Sequence, residues 1–307
     1  MSKRWILALC TIIISSISLH ISACDVCGCA VSGHQFGILP QFQKHFVGLR
    51  YSYRNFKSVH PPLFSTDVEK VSREYFHTTD LWGRFVLGRR IQLFGFIPYQ
   101  SITKNENEIS IAQRGLGDIT VMAMLAIINQ KRSEDGKWTQ HLQLGGGIKL
   151  PTGASDFLDA ENEWIPGIQL GTGTTDFMLN ANYLVRQNNI GLSAEYSWRV
   201  NGHNDKQDFR YGQRQTASIR GFYILDIGKN SLMPYLGATM EHSSLDYHQG
   251  ADVDLSGGNV VYGQIGLDFF SNQFSSGISI QPVITQNVAN GNLTSGTRIS
   301  AQFAVLF

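Results

Sequence analysis

Three thiols within six residues, Cys24-Asp25-Val26-Cys27-Gly28-Cys29, are the densest cluster of reactive side chains in this 307-residue sequence. Thiolates at this spacing suit soft ions such as Cu(I) or Zn(II), although three ligands are one short of a closed tetrahedral shell. Two other readings stand beside the metal one. Ile21-Ser22-Ala23-Cys24 has the form of a lipobox, which would make Cys24 a lipidated mature N-terminus. A Cys24–Cys27 disulfide in an oxidising compartment would be structural only. No cysteine follows residue 29, so no disulfide staples the rest of the chain. His34 reads as an ordinary loop histidine.

A second candidate set is scattered along the chain: Arg50, Arg54, Arg84, Lys149, Arg199, Arg220 and Arg298 against Asp118, Glu195, Glu241 and Asp268. All share one phase of the alternation described below, and seven bases against four acids predict a mildly basic interior. Such a set either forms a lattice of internal ion pairs or lines a conduit for polar or anionic solutes. The same phase holds Phe94, Phe96, Met122, Met124, Met178, Phe222 and Tyr235, which predicts a partly apolar interior; a one-residue slip would turn these outward instead.

No catalytic set emerges, and the expectation is a non-enzyme. The outward positions are almost wholly apolar, and His242 has no outward serine in phase beside it. Asp156, Asp159, Glu161 and Glu163 lack the alternating spacing of a calcium loop and read as a solvated face. Gly145-Gly146-Gly147 is followed by no helix and is not a phosphate loop.

The elements that position these residues are short and alternating. From residue 45 onward, stretches of about ten residues show period-two hydrophobicity, which is the signature of a transmembrane barrel. Val47, Leu49, Tyr51 and Tyr53 oppose Gly48, Arg50, Ser52 and Arg54, and Leu192, Ala194, Tyr196 and Trp198 oppose Ser193, Glu195, Ser197 and Arg199. Twelve such stretches can be placed, the last being Ile299, Ala301, Phe303, Val305 and Phe307. Connections after the even strands are short or intermediate, such as Gly88-Arg89-Arg90. Those after strands one, three, five, seven and nine are long and polar, such as Lys57 to Ser72, Pro151 to Pro166 and Ser243 to Gly258. This rhythm predicts a twelve-stranded antiparallel transmembrane β-barrel with both termini periplasmic. Tyr51, Tyr53, Tyr99, Tyr196 and Trp198 would form the outer aromatic girdle, with Trp138, Tyr183, Tyr223, Phe269 and Phe307 on the other rim. The terminal aromatic strand resembles the recognition signal of the barrel-assembly machinery.

Charged residues at 16% fall below the roughly 25% of soluble domains, as lipid-facing strands require. Lys3 and Arg4, the apolar run Trp5 to Ile14 and the small residues Ser22-Ala23 read as an export signal over residues 1–23. Removing its two bases from 25 leaves 23 against 24 acids, a net charge of −1, which gives no reason to expect nucleic acid as a partner. The expected organisation is then a periplasmic cysteine-containing segment over residues 24–44 and the barrel over 45–307.

Three segments carry a family resemblance: Arg114-Gly115-Leu116-Gly117-Asp118-Ile119, Lys149-Leu150-Pro151-Thr152-Gly153 and Leu170-Gly171-Thr172-Gly173-Thr174-Thr175-Asp176. Together they resemble the family of outer-membrane transporters named for the meta-pathway of phenol degradation, over roughly residues 45–307. The resemblance implies passage of small, often aromatic or hydrophobic, solutes across the outer membrane, and it carries over no substrate residues. The cysteine segment is an addition to the family pattern. The leading expectation is therefore an outer-membrane conduit surrounded by lipid and lipopolysaccharide, passing a small solute by passive or facilitated transport. A structural or surface-binding barrel, and a metal-handling component built on Cys24, Cys27 and Cys29, are the alternatives.

Overall fold

A computed structural model describes residues 44–60, 70–106, 109–130 and 138–307. The export signal and the thiols of Cys24, Cys27 and Cys29 lie outside the described residues. The strands are β1 (Phe46–His60), β2 (Lys70–Leu87), β3 (Ile91–Glu106), β4 (Ile109–Leu116), β5 (Thr120–Gln130), β6 (Trp138–Lys149), β7 (Asp176–Gln187) and β8 (Ile190–Val200). They continue as β9 (Phe209–Arg210), β10 (Arg214–Tyr223), β11 (Leu225–Ile227), β12 (Asn230–Ser243), β13 (Asp246–His248) and β14 (Ala251–Val253). The last are β15 (Gly258–Phe270), β16 (Phe274–Gln281), β17 (Val283–Val288), β18 (Leu293–Ser295) and β19 (Arg298–Leu306).

Four staves of the barrel are interrupted: β4 with β5, β10 with β11, β16 with β17 and β18 with β19. Counted as staves there are twelve, each antiparallel to its neighbours. The break between β16 and β17 falls at Pro282, which has no N–H to give the ladder. The sheet closes where β1 pairs with β19, from Phe46 opposite Leu306 to Tyr53 opposite Ile299. His45 and Phe307 exchange backbone hydrogen bonds of 3.1 and 3.0 Å, so both ends of the barrel chain meet at one rim. That rim also carries the short turns, including the positive-φ positions Gly88, Asn188 and Gly228. β9, β13 and β14 form a separate three-stranded sheet in the long connections of the opposite rim.

Alternation sets the two faces as expected. Leu49, Val121, Leu179, Ile219, Leu236, Ile265 and Phe303 are each 50–65% exposed and form the outward band. Their inward neighbours are buried or half-buried, and Phe94, Phe96, Met122, Met124, Met178 and Phe222 are all inward; the ladder's irregularities, at Ala126–Ile128 and Val261–Tyr262, turn none of them outward. Gly145 and Gly147 gain a reason here: a Cβ at either would run into Met124 or Met122, their partners across the ladder.

Two boundaries differ from the sequence reading. β1 and β2 run on to His60 and from Lys70, so much of the expected Lys57–Ser72 loop is ladder. The expected long loop after the third strand is largely replaced by pairing of β3 with β4 as far as Glu106 opposite Ile109. Strand pairing satisfies backbone groups whether or not lipid surrounds them, and these polar arms lack the apolar alternation that marks the lipid band. Leu236 sits at the middle of the outward row of β12, opposite Ile265. Replacing it with Arg should destabilise the barrel by about 2–4 kcal/mol in urea titrations of lipid vesicles, while Leu236→Phe stays near neutral.

Candidate functional site

The lumen is layered, and the same order appears on three strands. Along β1 the inward residues run Phe46, Arg50, Arg54, Phe56; along β2 they run Phe76, Asp80, Trp82; along β15 they run Tyr262, Gln264, Asp268, Phe270. Each passes from one apolar cluster through a polar stretch to another. Near the short-turn rim, Phe46, Trp82, Phe94, Phe96, Met122, Met124 and Met178 form one apolar layer. Leu184, Phe222, Ile224, Met233 and Phe270 form a second cluster, against which Tyr235 packs. Toward the long-loop rim, Phe56, Phe76, Ile102, Val260, Tyr262 and Leu293 pack on Ile165, Ile168 and Leu170.

Those last three residues belong to the connection between β6 and β7, so this loop folds inward and fills the lumen. Gln169, fully buried, fastens it internally: its Nε2 donates to the carbonyls of Phe157 and Ile165, and its Oε1 accepts from the Phe157 N–H. Tyr211 donates to the Pro166 carbonyl at 3.1 Å, and Trp164 packs edge-on against Phe209 at 5.2 Å. Burying Ile165, Ile168 and Leu170 stabilises the inward position by about 1.5–3 kcal/mol per side chain.

The base of the loop is held by a buried charge cluster. Lys149 Nζ lies 2.5 Å from Asp118 Oδ2 and 2.8 Å from Asp176 Oδ2, and it also donates to the Thr172 hydroxyl. Asp118 accepts the N–H of Gly153 and that of Thr172, each at 2.9 Å. Asp176 accepts from the Thr174 hydroxyl at 2.7 Å and the Gly202 N–H at 3.0 Å. Asp118, Lys149–Gly153 and Gly171–Asp176 come from the three sequence segments that carried the family resemblance, and they converge here. Their glycines are required by contact: a Cβ at Gly171 would strike Asp118 Oδ1, and one at Gly153 would sit 2.9 Å from the Leu170 carbonyl oxygen.

Between the apolar layers lies a chamber with about 920 Å³ of free space, counting its solvent-open mouth. Arg50, Arg54, Asp80, Arg220, Tyr235, Glu241, Asp268 and Arg298 face it. Arg50 donates to Asp80 through both Nε and Nη2, at 3.1 and 2.9 Å, and its guanidinium carbon stands 5.3 Å from the Trp82 ring centre. Arg220 donates to Glu195 at 2.8 Å. Arg298 forms a fork with Glu241 at 2.6 and 2.9 Å. Asp268 accepts from Gln302 Nε2 at 3.5 Å.

The other sequence candidates lie elsewhere. Asp118 and Lys149 are in the loop-base cluster. Arg84 sits at the short-turn rim, where it donates to the Lys44 carbonyl at 2.7 Å and covers Phe46. Arg199 is buried on β8, opposite Met178 and Arg214 in the ladder, and lines neither this chamber nor its neighbour described below. Sequence reasoning missed the buried Glu74, Asp80, Lys104 and Asp176. With them, and with Arg214 and Asp246 on the adjoining cavity, the interior set among the described residues stands at nine bases against eight acids, so the expected mildly basic lumen is nearly balanced. The signal was present: Glu74, Phe76, Thr78 and Asp80 continue the phase of Trp82 and Arg84 upstream.

One titration is visible outside the spanning strands. Burial pushes the Asp246 carboxyl up from 3.8 to about 7, against the pull of the Gly212 N–H it accepts. A raised carboxylate pKa favours the protonated folded form. Its contribution is therefore full below about 3.8 and is lost as pH rises through about 7. Hydrogen exchange in the 244–257 hairpin should be slower at pH 4.5 than at pH 8 after correction for intrinsic rates, and Asp246→Asn should flatten that difference. At the loop base, Lys149→Ala leaves Asp118 and Asp176 facing one another and should cost about 3–5 kcal/mol in urea unfolding. The 150–175 loop should also become the first site of proteolysis.

Comparison with known proteins agrees with this architecture. The COG4313 outer membrane channel from Pseudomonas putida F1 superposes with a TM-score of 0.58 at 15% identity, covering 86% of this chain and 96% of that one. The β domain of the Bordetella autotransporter BrkA gives a TM-score of 0.45 at 10% identity, covering 85% and 99%. The KdgM porin gives 0.40 at 8% identity, covering 85% and 99%. Among curated proteins there is no sequence match. Residues 54–303 match the family described as "Putative MetA-pathway of phenol degradation", which takes in all three converging segments and the chamber apart from Arg50, Ser52 and Tyr53. The chain belongs to that family.

Proposed function

We propose that this barrel sits in the outer membrane and passes small solutes through its lumen by passive or facilitated transport, without a catalytic step. The long-loop rim faces outward, and both ends of the barrel chain face the periplasm. The observation that carries the reading is the chamber between two apolar layers, built from paired charges in a closed, lipid-facing barrel. A barrel serving only as scaffold gains nothing from burying so many ionic groups around open space, because each desolvated charge costs several kcal/mol before its partner offsets it. Membership of a family named for phenol degradation supports small organic solutes as the cargo. The apolar layers on either side of the chamber suit molecules with both polar and hydrophobic surface.

In this reading the inward loop is the main obstruction on the outer side. Purified protein in planar bilayers should show small unitary conductance, and replacing residues 155–169 with a short Gly-Ser linker should raise it several-fold. Liposomes carrying the shortened variant should swell in small neutral solutes faster than those carrying the wild type. A barrel that stays electrically silent and impermeable even without the loop would overturn transport as the function.

A further inference from the structure

We infer that the Glu241–Arg298 ion pair is the charge-selectivity element of the conduit; this rests on the transport reading above. A second cavity of about 550 Å³ adjoins the chamber toward the long-loop rim, walled in part by Phe56, Tyr211, Val260 and Tyr262. Of all the residues that line either cavity, Glu241 and Arg298 alone line both. The pair therefore stands at the threshold between them. A solute moving from the outer cavity into the chamber passes these two side chains.

The threshold is built rigidly. The fork at 2.6 and 2.9 Å fixes both planar groups relative to one another. The Arg298 guanidinium carbon lies 3.9 Å from the centre of the Tyr262 ring, and the Tyr262 hydroxyl shares a 2.7 Å hydrogen bond with Ser295. Side-chain exposure is only 11% and 13%, so neither charge is well screened by water. A closed pair presents little net field to a passing solute. Freeing one member in this low-dielectric setting would focus its field across the passage.

The surroundings make the two members unequal. Arg54 lines the chamber, Arg214 lines the outer cavity, and both act electrostatically on Glu241. Asp80 also acts on Arg54 and Asp246 faces Arg214, but Glu241 is the acid that all three arginines share at the threshold. Losing Glu241 should leave a strongly positive passage, whereas losing Arg298 leaves Glu241 still balanced by the other two.

Reversal potentials under a KCl gradient test this in bilayers, with heat-modifiable gel mobility confirming that each variant is folded. Wild type should be weakly selective. Glu241→Gln should shift the chloride-to-potassium permeability ratio by about threefold or more toward chloride. Arg298→Gln should move it much less. The exchanged pair, Glu241→Arg with Arg298→Glu, should return to near the wild-type ratio. A conducting wild type whose ratio is unmoved by Glu241→Gln overturns the selectivity role and leaves transport standing. Silence in wild type and in all variants, the loop-shortened protein included, overturns both.

Discussion

In a hydrocarbon layer a peptide group has no water to turn to, and each unpaired N–H or C=O costs several kcal/mol. A sheet can enter lipid only if its two edges find one another. Here they do so along the ladder from Phe46–Leu306 to Tyr53–Ile299, and the rest of the structure follows from that closure. Once the edges meet, alternate residues are forced onto two incompatible surfaces. Leu236 and Ile265 must meet lipid while Tyr235 and Gln264 meet the interior. The interior is then a confined volume whose contents have to be specified by the sequence.

Those contents are specified in layers. Aromatic and Met side chains fill the space near the short-turn rim, helped by Gly145 and Gly147 opposite Met124 and Met122. The loop between β6 and β7 fills the long-loop side, and its insertion depends on Asp118, Lys149 and Asp176 at its base. Seven polar contacts among four segments converge on those three side chains, so the loop enters at one place and one depth. The chamber is what remains between the two fillings. Its Arg50, Arg220 and Arg298 are each paired with a carboxylate, which lets a buried ionic lining coexist with a stable fold.

Much of this was legible in the chain. Period-two alternation gave the staves and their facing, because the lipid and lumen phases differ sharply in polarity: Leu192 and Tyr196 against Glu195 and Arg199. The ladders beyond the lipid band have no apolar outer face to mark them, since a strand in water needs none; only the inward phase runs on through Asp80 and Glu74, and both were missed with the early part of β2. The inward loop was invisible for a different reason. Ile165, Ile168 and Leu170 have no periodicity that distinguishes a plug from a surface excursion; only the packing against Phe56, Phe76 and Ile102 assigns them. The common purpose of the glycine-rich segments, close approach around one carboxylate, appears only when Asp118, Gly153 and Gly171 are seen together.

The facing of adjacent side chains can be read directly, because no cysteine occurs after residue 29. With Cys24, Cys27 and Cys29 changed to Ser, single cysteines at Ile278, Ser279 and Ile280 place a thiol on successive residues of one strand. Ser279→Cys, whose native side chain is buried on the inward face between the exposed Ile278 and Ile280, should react with a small water-soluble thiol reagent in intact membranes. Ile278→Cys and Ile280→Cys should instead yield only to a reagent that partitions into lipid. Equal reaction of all three with the water-soluble reagent, or a Ser279→Cys as inert as its neighbours, would contradict this facing.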